Sequence, residues 1–189
     1  MQDIKNKTDN ELVALVRQDP EYLSHIIDRY KAKLGKYIKR RTNIGAHDIE
    51  DLLQDIFIKV YVNINEYDDK LVFSSWIYRI THNYMIDWLR KNKKYVNFSI
   101  DDDENRLVFI LEDESQRIED KYNSLDKEQL DILKRELNNI PIDYKEIIIL
   151  KFFEDKAYDE ISDILKISVN SVGVKINRAK KILKQKIYE

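Results

Sequence analysis

The sequence predicts an all-α protein: two small helical domains joined by an acidic linker, the second domain ending in a helix-turn-helix. Three observations predict it. Apolar residues recur at helical spacing along most of the chain. Among 189 residues there are only three glycines and two prolines, while 36% are charged, which suits solvated helices better than turn-rich sheets. Nine acids between 101 and 120 (101, 102, 103, 104, 112, 113, 114, 119 and 120) then interrupt that period between two periodic halves. The boundaries that follow are 1–96, a flexible linker at 97–124, and 125–189.

Thr8-Asp-Asn-Glu11 has the form of a capping box. The helix it opens carries Leu12, Leu15 and Val16 and ends near Asp19-Pro20. A second helix runs from about Glu21 toward Arg40-Arg41, with Ile26, Ile27, Tyr30 and Leu34 inward. Seven residues from Arg29 to Arg41 are basic (29, 31, 33, 36, 39, 40 and 41) and none is acidic. Asn43-Ile-Gly45 breaks this helix, and Asp48 suits the N-cap of the next. That third helix, to about Ile64, buries Ile49, Leu52, Leu53, Ile56, Phe57 and Val60. It turns Asp51, Gln54, Asp55, Ile58 and Val62 outward. Aliphatics among acids fit a face that docks on a basic, partly apolar partner, and equally one covered by a neighbouring helix.

A fourth helix runs from about Ser74 to Lys91, closed by the basic run Arg90-Lys-Asn-Lys-Lys94. Residues 97–124 lack a sustained period, apart from a short helix expected from Ser115 onward. Leu125 to Ile140 reads as a helix, and Pro141 opens the next from its first turn.

Tyr158 to Lys181 then reads as helix, tight turn, helix. In the last helix Val172, Ile176, Ala179 and Leu183 share one apolar stripe. The opposite stripe holds Asn170, Val174, Asn177 and Lys181, flanked by Lys175 and Arg178. Amides and arginine suit base edges and lysine suits phosphate, the needs of a major-groove reader. From Lys166 onward seven Lys/Arg (166, 175, 178, 180, 181, 184 and 186) stand against one acid, Glu189. A solvated basic face is the plainer reading of the same pattern.

Net charge is −2, so any nucleic-acid signal lies in such local patches. No cysteine is present, which removes disulfides and thiolate zinc sites. His25, His47 and His82 lack metal-ligand spacing, no glycine-rich phosphate loop occurs, and Asp101-Asp-Asp-Glu104 reads as a solvated run. No catalytic residue, metal or cofactor is therefore expected. No signal segment is expected at the start of the sequence, and no purely apolar run, Ile147-Ile-Ile-Leu150 among them, approaches the ~20 residues a bilayer span needs. A cytoplasmic location is expected.

Three segments in register resemble the extracytoplasmic-function (ECF) type of sigma factor, in the sigma-70 family. Asp48-Ile-Glu-Asp-Leu-Leu-Gln-Asp-Ile-Phe-Ile-Lys59 is similar to that family's core-polymerase-binding helix. Phe73-Ser-Ser-Trp-Ile-Tyr-Arg-Ile80, continued by Asn83 and Ile86-Asp-Trp-Leu-Arg90, resembles its next helix. Ile140-Pro141, Tyr144 to Phe153 and Tyr158 to Lys181 resemble its second DNA-binding domain.

The resemblance implies a dissociable initiation subunit that binds core RNA polymerase and directs it to −10 and −35 promoter elements, with polymerase making the bonds. It implies that Asp51, Gln54, Asp55 and Ile58 face a helical hairpin of the polymerase largest subunit, with the flap a further contact. It places Asn83 at a base flipped from the −10 element, with Arg79, Arg90 and Lys91 near phosphates. Asn170, Ser171, Val174, Lys175, Asn177, Arg178 and Lys181 would meet the −35 element, and an anti-sigma factor is an implied further partner. Phe73, Trp76 and Trp88 could stack on bases, but helical spacing favours the core.

Three residues depart from the family pattern. Lys166 stands where glycine often makes the turn, and Gly173 and Val174 replace a common basic residue and serine. At Gly173, close backbone approach to DNA and simple drift are both open. The alternative, a polymerase-independent helix-turn-helix regulator, leaves the matches at 48–59 and 73–90 unexplained.

Overall fold

A computed structural model describes residues 4–42, 44–92, 104–111 and 126–188. The chain divides into two compact units, residues 1–96 with 163–166, and residues 97–162 with 167–189.

In the first unit α1 (Asp9–Gln18) opens on the expected capping box. Thr8 Oγ1 accepts from the Glu11 amide at 3.3 Å, and Glu11 accepts the Thr8 amide at 2.7 Å. Val13 rather than Leu15 joins Leu12 and Val16 in the core; Leu15 is half-buried. After a 3-10 turn at Pro20–Tyr22 comes α2 (Leu23–Arg41), which packs against α3 (Ala46–Asn63). Gly45 rather than Asp48 takes the N-cap of α3, and Asp48 sits inside its first turn. A carboxylate there still favours the positive end of the helix dipole. Helix α4 (Phe73–Lys91) packs on α3 and buries Ile77, Tyr78, Met85 and Leu89. Phe73 and Trp76 are buried too, in a ring cluster with Tyr67 whose centroids lie 5.2–5.5 Å apart. The core reading therefore holds for both; Trp88 is half-buried.

The fold consumes part of the basic run on α2. Arg29 pairs with Asp9 at 2.7 Å, and Arg41 is fully buried. The loop between α3 and α4 is tied to α1: Arg17 donates to the carbonyls of Ile64 (3.3 Å) and Tyr67 (2.6 Å) and to Asp69 (2.9 Å). The buried Tyr67 hydroxyl donates to Asn10 Oδ1 at 2.9 Å and lies against the Leu71 carbonyl. Burial first, then the charges of Asp69 and Asp9, push its pKa up to about 12.

The second unit corrects the expected linker. Glu104–Leu111 forms a helix, α5, with Leu107, Ile110 and Leu111 buried. Their i, i+3, i+4 spacing makes an apolar stripe only two turns long, which the flanking acids mask in the sequence. Arg106 secures α5 by donating to the carbonyls of Phe152 (3.1 Å) and Phe153 (3.0 Å) and to Asp155 (2.9 Å). The short helix expected from Ser115 and most of the acidic run lie outside the described residues.

Helices α6 (Lys127–Asn139) and α7 (Ile142–Ile148) both pack on α9 (Val169–Tyr188). Pro141 is the N-cap of α7 rather than its first residue. A single π turn, Ile149–Phe153, follows α7, and Asp155 beyond it takes a positive φ of 53°. Helix α8 (Tyr158–Leu165) then meets α9 through a tight turn in which Lys166 adopts φ 55°. For a residue with a Cβ that backbone costs ~1–2 kcal/mol. Ser162 offsets part of it: its Oγ donates to the Ile167 carbonyl at 2.6 Å, and its carbonyl accepts the Ile167 amide at 3.3 Å.

Among the described residues no helix is long and apolar enough to cross a membrane.

Candidate nucleic-acid and protein interfaces

On a helix successive residues are about 100° apart, so burying one stripe fixes what lies at the centre of the opposite face. In α3 the core residues Leu52, Leu53, Ile56, Phe57 and Val60 leave Ile58 at that centre, 60% exposed. Asp51, Gln54 and Asp55 are exposed around it, and Val62 extends the apolar strip at 67% exposure. The open question of a covering neighbour is thus answered within the described chain: none covers them. Tyr61, also exposed, widens the patch and was missed in the sequence. Its aromatic side chain lies one residue off the stripe that the pattern singled out.

The acids of this face are not equally free. Asp51 lies 3.6 Å from His47, one turn back. Asp55 accepts a 2.7 Å hydrogen bond from the Tyr84 hydroxyl on α4, and Lys59 places its ammonium 5.1 Å from that ring. The bond to Asp55, then burial, raises the Tyr84 pKa. Tyr84 therefore fixes one edge of the α3 face to α4. No single-helix pattern announces it, because the contact depends on how two helices register.

On α4 the buried stripe of Ile77, Thr81, Met85 and Leu89 puts Asn83 at the centre of the outward face. Arg79 and Arg90 fall within roughly 40° of Asn83 around the axis. Among the described residues the Asn83 amide has no hydrogen-bond partner, so its donors and acceptor are all available. Arg79 is half-buried and Arg90 exposed, the latter 3.4 Å from Asp87. Lys91 is exposed but about a quarter-turn away from the Asn83 line.

On α9 the four expected core positions, Val172, Ile176, Ala179 and Leu183, are fully buried. Val174 occupies the centre of the outward face, 48% exposed, with Asn170, Asn177, Arg178 and Lys181 exposed around it. The basic residues of this helix divide by use. Lys175 is held 2.8 Å from Asp143 of α7, and Lys180 is buried with its ammonium 5.2 Å from the Phe152 ring. Arg178 and Lys181 have no ion-pair partner among the described residues. Ser171 is half-buried, its hydroxyl 2.8 Å from that of Ser168, whose Oγ also accepts the Ser171 amide at 3.2 Å. Of the seven expected α9 residues, five face outward unspent, while Ser171 and Lys175 set the helix in place.

An ideal Cβ at Gly173 would meet the Tyr158 ring at 3.6 Å, an ordinary contact. Gly173 thus faces α8 rather than the outward centre, and packing does not require a glycine. Among the described residues no group of three or more His, Asp or Glu is placed to hold a metal ion.

Residues 26–95 match the family model described as Sigma-70 region 2, and residues 130–183 that described as Sigma-70, region 4. The chain is 31% identical over 173 residues to the ECF RNA polymerase sigma factor SigW of Bacillus subtilis, across 89% of this chain and 90% of that one. It is 27% identical over 189 residues to the ECF RNA polymerase sigma-E factor of Haemophilus influenzae, across 95% of each. Among solved structures, CnrH in complex with the cytosolic domain of CnrY matches with a TM-score of 0.64 at 19% identity, covering 94% of this chain and 95% of that one. The sigma factor RpoE in complex with the anti-sigma factor NepR from Bartonella quintana matches at 0.54 and 18%, covering 92% and 98%. At such identities the structural likeness is one of fold.

Proposed function

The chain belongs to the sigma-70 family, in its ECF group, and from that premise we propose that it is an initiation subunit that binds core RNA polymerase, directs it to −10 and −35 promoter elements and assists promoter opening. The observation that carries this reading is the placement of unspent side chains. The centres of three outward faces hold Ile58, Asn83 and Val174, and each face has the chemistry a different contact needs.

The α3 face, Asp51, Gln54, Asp55 and Ile58, takes a basic and partly apolar helical hairpin of the polymerase largest subunit. Acids facing guanidinium groups form charge-assisted pairs, and the aliphatic centre is desolvated between them. On α4, Asn83 reads a base extruded from the −10 element, since one amide supplies both donor and acceptor to a base edge. Arg79, Arg90 and Lys91 hold nearby phosphates. On α9, Asn170, Val174 and Asn177 meet −35 base edges while Arg178 and Lys181 meet phosphates. Ser171 and Lys175 keep that helix seated.

Residues 1–96 then serve polymerase binding and −10 contact, and the unit containing α5 to α9 serves −35 contact and the flap. Each DNA contact alone is weak. Polymerase fixes the separation of the two, so binding at one raises the effective concentration at the other. The subunit acts in the cytoplasm and performs no chemistry; polymerase forms the phosphodiester bonds. An anti-sigma factor is the remaining partner in this reading.

Run-off transcription with purified core enzyme tests it. The expected result is promoter-selective transcript that needs both the chain and core. A polymerase-independent regulator would instead bind DNA alone and yield no core-dependent transcript, which would overturn the reading.

A further inference from the structure

Val174 is the one aliphatic at the centre of the outward face of α9, and it stands where base-edge hydrogen bonding would call for a polar side chain. Single exposed aliphatics are common and mean little by themselves. The surroundings of this one decide its meaning. Asn170 lies about 6 Å before it along the axis and Asn177 about 4.5 Å after it, distances of one to two base-pair steps at roughly 3.4 Å each. Both amides are exposed, as are Arg178 and Lys181, and no acid occurs between Lys166 and Tyr188. The valine is therefore embedded in the surface assigned to DNA.

Its chemistry narrows the ligand. Valine can neither donate nor accept a hydrogen bond, so against the N7, O6, N6, N4 and O4 edges of the major groove it offers nothing. The group there that it complements is the C5 methyl of thymine. Its branched Cβ leaves one strongly preferred rotamer in a helix, so its methyls sit at a fixed reach with little further ordering cost.

We propose that Val174 is a specificity-determining residue that recognises a thymine methyl in the −35 element, between base pairs contacted by Asn170 and Asn177. The inference rests on the assignment of α9 to −35 DNA and adds to it the base that the helix selects.

The test uses the full chain assembled with core polymerase. Holoenzyme is first selected against promoter DNA randomised across the −35 region. Each thymine of the preferred element is then replaced in turn by deoxyuridine, which pairs identically but lacks the methyl. One position should weaken binding about fourfold, the worth of one buried methyl-sized group. Val174→Ala, whose small side chain withdraws from the groove without disturbing the buried stripe, should bind thymine and uracil equally there. Its melting temperature supplies the control for folding. No methyl-sensitive position, or the same sensitivity retained in Val174→Ala, overturns the inference and leaves the −35 assignment standing. No enrichment at all across the randomised region overturns both.

Discussion

Replacing Asn83 with alanine separates reading of a base from mere support of the fold. The amide is exposed, lies at the centre of the outward face of α4, and has no hydrogen-bond partner among the described residues. Removing it leaves no buried polar group unpaired. Alanine also has a higher helix propensity than asparagine, by up to ~0.7 kcal/mol. Thermal stability should therefore stay level or rise slightly. If Asn83 reads a base as proposed, the same change removes a donor and an acceptor for one base edge, worth ~1–3 kcal/mol of discrimination, or about 5- to 150-fold. The assay is open-complex formation by permanganate reactivity with core polymerase, on promoters carrying each of the four bases at each −10 position. At one position the preference should collapse while the others keep theirs. An equal loss on every sequence would refute the base-reading argument, and so would a lowered melting temperature that accounts for the defect.

Arg178→Ala should weaken promoter binding and reduce the salt slope by about 1; Lys175→Ala, which removes a cation already paired with Asp143, should leave that slope nearly unchanged. Asp51→Lys reverses an exposed charge, so it should lower affinity for core polymerase in a pull-down titration while the unfolding curve stays in place. Arg106→Ala removes the tie between α5 and the end of the π turn and should destabilise that helix locally by ~1.5–3 kcal/mol. Amides at 104–111 should then exchange faster while those of α4 keep their rates. Tyr67 has its pKa raised from 10.0 to about 12, so its contribution to stability is complete below pH 10 and is lost as pH rises toward 12. Urea melts should show the first unit weakening across that window, and Tyr67→Phe should flatten the decline.

Long periodic segments made most of this architecture readable in advance. In α9 the expected core stripe is the observed one, because burial along twenty residues imposes a period that a few exceptions do not hide. The outward stripes of α3 and α9 follow from the same arithmetic, which is why Ile58 and Val174 could be placed on them, whereas Asn83 was reached through the resemblance of its segment. What escaped were features set by partners distant in sequence. Leu107, Ile110 and Leu111 span only two turns, and their burial depends on a surface that other helices create. Tyr84 looked like any aromatic beside Asn83 until the register of α3 and α4 brought Asp55 to its hydroxyl. Lys175 and Arg178 carry the same charge on neighbouring positions, and only the place of Asp143 on α7 separates one from the other. Asp48 had the right chemistry for a cap but stands three residues past Gly45, which takes that position.

The joint between α8 and α9 manages without glycine, and that alters what its sequence must preserve. A serine hydroxyl reaching across five positions to Ile167 braces the turn beside the backbone bond between the same two residues, so Ser162, outside the turn proper, carries part of what a glycine would otherwise supply. Lys166 itself is held at φ 55°, a backbone that glycine would take without strain and that a β-branched side chain would resist.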